Sequence, residues 1–435
     1  MRKTETNQVE PERRGVRYHS LDALRAFVLL LGIVFHAAES FCPGRRSWAI
    51  IDLRAHIFFD MFQHVCHSFR MEVFFLIAGF FAHRMLQRSG TGGFVRNRAR
   101  RILVPLVGGW FLLYPTIMLI WVWGKWTTGS LSDLRIPAEM QSMNPFALTA
   151  GVILSGAPFR EAFNLAHLWF LYYLILLYLL LLAFRWTLGR FAAAGRLLAL
   201  LDGGFDRVLH SGWRIPFFAL LCLPLTTWMG GGVDTPNQTL VPNLPVVALY
   251  GLFFGFGCLL HRRPERLDLL ARNWGTGLIF GLAVLWPVCS PRTLLSFLFP
   301  GGGFASWART LHLLLYPVMM WSLALALTGF FLAVCRRESR IWRYLADSSY
   351  WLYLVHHTVV VPIQILIAGW DFHPFLKLLL ILALAFPVLL ASYHYLVRPT
   401  FLGLLLNGRR HPRSNVGQNG VLSAAALQTE PPIRA

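Results

Sequence analysis

LDALRAFVLLLGIVFH, Leu21 to His36, has the apolar continuity of a helix built for hydrocarbon, yet it carries Asp22, Arg25 and His36. A charged side chain near the centre of a membrane helix costs about 2.5–3.5 kcal/mol on insertion scales, so ionisable groups there point to function. Arg25 and His36 are separated by about three helical turns. At about 100° per residue that spacing returns to nearly the same face, about 16 Å along the axis. Asp22 and Gly32 lie beside the same stripe. One face therefore carries an acid and a cation at one end, a glycine that permits close approach, and an imidazole toward the other. The plain structural alternative is that Arg25 snorkels to the headgroups beside Asp22, while His36 hydrogen-bonds a neighbouring helix.

The rest of the chain has the same character. Of 435 residues, 56% are hydrophobic and 14% charged, and the apolar residues come in runs of about 20, the length that spans a bilayer. The chain reads as an all-α polytopic membrane protein with about ten transmembrane helices, at about 21–41, 64–87, 102–123, 165–185, 215–230, 244–261, 273–290, 311–335, 346–369 and 375–397. The fifth is short and holds Pro216 and Pro224. No internal repeat divides the chain. It reads as a tail over 1–20, one transmembrane domain over 21–398, and a largely disordered tail over 399–435 that includes the polar stretches RSNVGQNG and TEPPIRA.

A formal charge of +20 would suggest nucleic acid in a soluble protein. Here the Lys and Arg sit mainly in short loops, and no basic stripe with interleaved aromatics stands outside the apolar runs, so that reading is set aside. The N-terminal tail, the loops after runs two, four, six and eight, and the C-terminal segment hold 29 Lys and Arg, against 9 in the remaining loops. That bias predicts both termini in the cytoplasm. No small-residue cleavage site follows the first run, which predicts a retained helix rather than a signal peptide.

Further polar groups interrupt the other runs. HSFRMEVFFLIAGFF opens the second with His67, Arg70 and Glu72, at the depth of His36 on the predicted topology. An interfacial ion pair is the plain reading of Arg70 and Glu72. HLWFL places His167 at the mouth of the fourth, where an aromatic belt with Trp169 is the alternative. SYWLYLVHH carries His356 and His357 about ten residues into the ninth. Adjacent residues on a helix point to different faces, so only one of the two is expected in a shared cavity. FVRNRARRILVP sets Arg96, Arg98, Arg100 and Arg101 just before the third. Orientation and anionic-lipid contact account for such a cluster, and so does a clamp for a phosphorylated cytoplasmic ligand.

The six cysteines show no CxxC pair. Cys222, Cys258, Cys289 and Cys335 fall in or at the ends of apolar runs and read as core, while a Cys42 to Cys66 disulfide stays open. The 15 histidines include no HxxxH or HExxH pair on a helix, so no metal site is expected.

Taken in order, LDALRAFVLLLGIVFH, HSFRMEVFFLIAGFF, Arg98 and Arg101 ahead of ILVP, HLWFL and SYWLYLVHH make the chain resemble the acyltransferase family 3 membrane proteins, and within them the glucan biosynthesis protein C group. The resemblance covers roughly 1–190 and the ninth run; the middle matches only in hydropathy. It implies a multi-pass protein of the bacterial inner membrane that moves an acyl group from cytoplasmic acyl-CoA to a sugar hydroxyl on the periplasmic side. For the glucan subgroup the acyl group is succinyl and the acceptor is periplasmic glucan. By position, the resemblance makes His36 the essential histidine, Arg25 its partner, and Arg98 with Arg101 the pair facing CoA. Ala78 stands where many members have serine, which removes any hydroxyl role there.

Acyl transfer from a thioester to an alcohol needs the alcohol's proton removed and the developing oxyanion stabilised. An imidazole can serve as that base or carry the acyl group briefly, which assigns His36, Arg25 and Glu72 to catalysis. Arg98 and Arg101 then bind the donor, and His67, Arg70, His167 and His356 the acceptor or acyl group. No cofactor is expected beyond succinyl-CoA as substrate, and membrane lipid is the remaining partner. Two other readings fit the same residues: an O-acetyltransferase acting on a surface or lipid-linked polysaccharide, and a proton-coupled transporter in which Arg25, His36 and Glu72 relay a proton.

Overall fold

The fold is that of a computed structural model describing residues 18–43, 47–134, 140–156, 163–236, 239–290 and 305–410. Among these residues the regular elements are all helices, without strands. The tail before Tyr18, the residues from 411 onward and a cytoplasmic placement of either terminus lie outside what it describes. Among the described residues, seven helices are long and apolar enough to cross a membrane, or up to nine if each of two bent pairs makes one span. The longest apolar run, Ile57–Thr127, has 71 residues and holds two of the runs read from sequence. It divides where Gly90 takes φ 65°, a conformation only glycine adopts freely.

The chain begins with α1 (His19–Ala38), α2 (Ile57–His67), α3 (Arg70–Arg98) and α4 (Val104–Thr127). The arginine cluster straddles the end of α3, with Arg96 and Arg98, and a short π-helical stretch before α4, Ala99–Leu103, with Arg100 and Arg101. Next come α5 (Pro145–Leu154), started by Asn144, whose side chain accepts from Ala147 N at 2.8 Å, and α6 (Trp169–Leu188). The following pair, α7 (Ala194–His210) and α8 (Arg214–Trp228), meets at 115°, so α7 does not continue the crossing. It is instead tied to α9 (Leu244–Arg262) and α10 (Arg266–Arg272). Asp202 pairs with Arg262 at 2.7 Å and Arg266 at 3.2 Å, and Asp206 pairs with Arg266 at 2.5 Å. The seventh predicted span is α11 (Trp274–Cys289), bent 61° from α10 and wound as a π-helix over Phe280–Leu285.

The chain closes with α12 (Ala305–Val334), α13 (Arg340–Ile367), α14 (Pro374–Ser392) and α15 (Phe401–Asn407). Ser339 caps α13, and Gly408 ends α15 in the left-handed conformation. Within 399–435, therefore, a short helix precedes the residues that are not described.

Two close approaches set the frame. On α3, a Cβ at Gly79 would lie 1.9 Å from the carbonyl oxygen of Phe254 on α9; one at Gly257 would lie 1.9 Å from that of Leu76. Small residues let the two backbones touch, and with lipid tails as solvent such packing is a main source of helix association. The second approach joins α1 to α13. Arg25 reaches the carbonyl of Ala346 at 3.5 Å, and His36 packs on His357. Both helices advance by the same number of residues between these contacts, so they run parallel, side by side. None of the six cysteines is in a disulfide, which removes the Cys42 to Cys66 bridge left open by the sequence.

Candidate active site

His36 stands near the C-terminal end of α1, where the last carbonyls lack intrahelical partners. Side chains from elsewhere supply them. Gln63 of α2 donates to Phe35 O at 2.6 Å, and Gln364 of α13 donates to His36 O and Ala37 O, each at 2.9 Å. The backbone carrying His36 is thereby fixed between two helices. The ring itself has its Nδ1 3.8 Å from the carboxylate of buried Glu39, one turn on.

Four imidazoles meet there. His36 lies 4.6 Å from His357 and 5.1 Å from His356, centre to centre; His167 lies 4.6 Å from His357 and 5.3 Å from His356. Both adjacent histidines of α13 thus join the cluster, against the expectation that only one would. The reason is geometric: although adjacent positions lie about 100° apart on α13, the two rings converge to 4.4 Å between centres, so His36 and His167 each meet both. His167 is presented by a turn, Ala166–Leu168, whose first residue holds φ 47°, a strained value for alanine.

Backbone carbonyls fix two of the tautomers, since a carbonyl can only accept. His167 Nε2 donates to Leu354 O at 2.9 Å, and His356 Nδ1 donates to Tyr353 O at 2.7 Å. In the neutral rings this leaves His167 Nδ1 and His356 Nε2 as buried lone pairs without a hydrogen-bond partner, and both nitrogens of His357 are likewise unpaired. Tyr353 OH donates to His167 O at 2.7 Å, tying α13 to the turn. A buried site with proton acceptors and no internal partners is prepared for a group that brings protons. Nitrogens of His36, His356 and His357 lie within 4.8 Å of one another, a set able to draw together round a small cation. The positive Arg70, whose charge reaches His356, opposes that use.

Arg70 does not pair with Glu72. Its guanidinium lies over the Phe35 ring, 4.6 Å from the centroid, and a Cβ on Gly32 would come within 2.9 Å of its Nη1. The glycine of the α1 stripe is therefore the gap through which Arg70 comes against α1. Its electrostatic neighbours include Glu39 and Glu72. Glu72 is fully buried with both oxygens unpaired, and its carboxyl is within electrostatic reach of Cys222, Tyr250 and Tyr316, on the α8, α9 and α12 side. No described contact joins Glu72 to a cluster histidine. His67 sits near Phe35, at 6.1 Å between rings, and contacts Thr235 at 3.3 Å.

At the other end of the stripe, Arg25 pairs with Asp22 at 3.3 Å. Arg98 lies by the rings of Phe94 and Tyr178, 5.3 and 5.0 Å from their centroids, close enough for both to attract its guanidinium. Tyr350 of α13 donates to Arg101 O at 2.7 Å. Arg25, Arg98, Arg100 and Arg409 all act electrostatically on Arg101, and Arg25, Arg101 and Arg409 contact Ala346, Tyr350 and Asp347, so the guanidinium groups gather at one end of the α1–α13 pair. Arg409, read from sequence as tail, pairs with Asp347. Sequence reasoning also passed over Gln63, Gln364 and Trp48. The two glutamines had a signal, being polar residues in or beside apolar runs; Trp48, in a loop, had none.

The family model described as an acyltransferase domain matches residues 18–394. Among curated proteins, the chain is 34% identical over 122 residues to Glucans biosynthesis protein C of Escherichia coli (strain K12), and to the proteins of that name from strains SMS-3-5 / SECEC and O6:K15:H31 (strain 536 / UPEC). The alignment covers 27% of this chain and 31% of each relative, so the chain spans about a third of the length of the curated proteins it matches. No solved structure matches.

Proposed function

Since the chain belongs to this acyltransferase family, we propose that it is an inner-membrane O-acyltransferase moving a succinyl group from cytoplasmic succinyl-CoA to hydroxyls of a periplasmic glucan. The observation that carries the reading is the arrangement along α1 and α13: a guanidinium cluster at one end of the helix pair and, about 16 Å away, the half-buried His36 ring against three buried imidazoles, a span comparable to an extended pantetheine arm. The name of the relatives supports a glucan as acceptor.

In this reading both termini are cytoplasmic. Arg25, Arg98 and Arg101 hold the phosphates of CoA, for which planar guanidinium groups are suited. The thioester lies beside His36. His36 takes the proton of the acceptor hydroxyl as the oxygen attacks the thioester carbon; the C–S bond breaks, and the proton passes to the departing thiolate. His356 and His357 flank that ring, and His167 completes the enclosure. Arg70, a fixed cation beside the cluster, receives the free carboxylate of the succinyl group. No resident metal takes part.

The test is purified protein in bilayers with labelled succinyl-CoA and glucan, paired with mass spectrometry of cellular glucans with and without the protein. Succinyl esters on glucan that disappear with the protein support the reading. Acetyl esters, or another labelled polysaccharide, would replace donor or acceptor. Movement of solute with no labelled product would replace the enzyme with a transporter.

A further inference from the structure

Residues 47–56, ahead of α2, are held by a buried ion pair that the acyl-transfer scheme does not use. Lys377, from the first turn of α14, is fully buried; its Nζ donates to both Asp52 oxygens at 2.8 Å and to Ala368 O at 3.0 Å. Asp52 is itself buried, its carboxylate accepts from Arg54 N at 2.8 Å, and its own N–H donates to Ser40 O at 2.7 Å. Removing two charges from water is costly, and a hydrophobic pair of similar volume would often be at least as stable. An ion pair kept at such a cost is informative for where it holds the backbone.

Shortly before Asp52 comes Trp48. Its ring stacks parallel to His36, at 6° and 5.8 Å, and edge-on to His357 at 5.6 Å. Its Nε1 donates at 3.1 Å to Gln364, the residue that also holds the His36 carbonyl. Trp121 of α4 packs against Trp48 at 5.0 Å and donates to Ser47 O at 3.3 Å. The backbone of Ala49 lies so close to α4 that a Cβ on Gly124 would be 2.5 Å from its carbonyl oxygen.

We propose that Asp52 and Lys377 are positioning residues that fix Trp48 as a wall of the histidine cluster, keeping water from the acyl group so that it passes to sugar rather than to solvent. The inference rests on the acyl-transfer reading and adds what decides transfer against hydrolysis. An acylating site must accept a hydroxyl while refusing bulk water, and a fixed aromatic wall achieves that exclusion without moving.

The experiment compares wild type with Trp48→Ala, the neutral pair Asp52→Asn with Lys377→Met, and Gly124→Ala, which displaces the same segment without touching the ion pair. Arg54→Gln, which breaks the exposed pair with Asp371, is the control. Succinyl-CoA consumption and glucan succinylation are followed together, and hydrogen exchange is measured over residues 47–56. In the first three variants the ratio of transfer to hydrolysis is expected to fall about tenfold or more. Exchange over 47–56 should quicken in the last two of them, and the control should match wild type. Trp48→Phe should restore most of the ratio. Transfer and hydrolysis falling in equal proportion, or an unchanged ratio, would overturn the inference, as would unaltered exchange in both displaced variants. Wild type that consumes no succinyl-CoA would instead remove the acyl-transfer reading, while the exchange comparison still judges the ion pair.

Discussion

His36 and His357 meet edge to face with ring centres 4.6 Å apart, one on each helix and equally far along it from the point at which Arg25 meets the carbonyl of Ala346. Two parallel helices in constant register thus carry cations at one end of their contact and imidazoles at the other. Neither helix alone makes a site. Their register brings together residues from the first helix of the chain and from one near its end.

Replacing His36 with alanine is expected to lower glucan succinylation by about 100- to 10,000-fold, the range for loss of a general base. The protein should remain in the membrane, because Gln63 and Gln364 bind the backbone of this turn rather than the ring. Succinylation assays on membranes matched by immunoblot check both halves. Activity retained in this variant would reassign the base.

Arg98 stands beside two aromatic rings and offers phosphate a planar fork of donors, so its replacement by lysine should behave like its replacement by glutamine: a compact ammonium offers no such fork. Either change is expected to raise the apparent KM for succinyl-CoA by about tenfold, with a smaller effect on kcat. Initial rates across donor concentrations separate the two parameters. An effect confined to membrane insertion would reduce the arginines to topology signals.

Gly79→Ala should destabilise the bundle by about 1–3 kcal/mol, since the added methyl meets the Phe254 carbonyl of a neighbouring backbone. Gly92→Ala, with open space around it, serves as reference. Thermal unfolding in detergent should show a lower midpoint for the first variant alone.

Acid should loosen the α7 strap before the bundle. A hydrogen bond from Arg266, with Arg263 and Arg266 charges nearby, holds the Asp206 carboxyl below its ordinary value of 3.8. A carboxylate whose pKa is depressed by folding contributes stability that is present above the unfolded value and lost as pH falls through the folded one. Proteolysis of α7 followed from neutral pH downward should therefore accelerate below about pH 4 in wild type. Asp206→Asn, lacking the titrating group, should be more susceptible at neutral pH and change less on acidification.

The helices were legible because hydrocarbon imposes a length and penalises charge, so the apolar runs and the charged or imidazole residues within them stood out, while Gln63 and Gln364 did not. The stripe from Arg25 to His36 followed from helical phase. What phase could not supply was tertiary: that His356 and His357 both face the cluster depends on rings arriving from α1 and from the turn before α6. Glu72 shows the converse. It obeyed the same rule as His36, yet no described contact joins it to the histidines, and its electrostatic neighbours include Tyr250 and Tyr316 on the helices packed against α3. Trp48 gave no signal, since a tryptophan in a loop is ordinary until the loop is folded over His36.

Arg70 is the residue on which the identity of the acyl group turns. Its guanidinium is packed between the Phe35 ring and the bare backbone of Gly32, its Nε has no partner, and its charge reaches His356. A buried cation with unused donors favours a ligand that brings a carboxylate, and succinyl has one where acetyl does not. Arg70→Met, which keeps much of the apolar stem, is therefore expected to lower kcat/KM for succinyl-CoA by about 10- to 100-fold while leaving acetyl-CoA within about twofold. The measurement is the ratio of the two specificity constants in one preparation, which cancels any loss of folded protein. A ratio unchanged by the substitution would detach Arg70 from the acyl group and leave its part as a brace for α1.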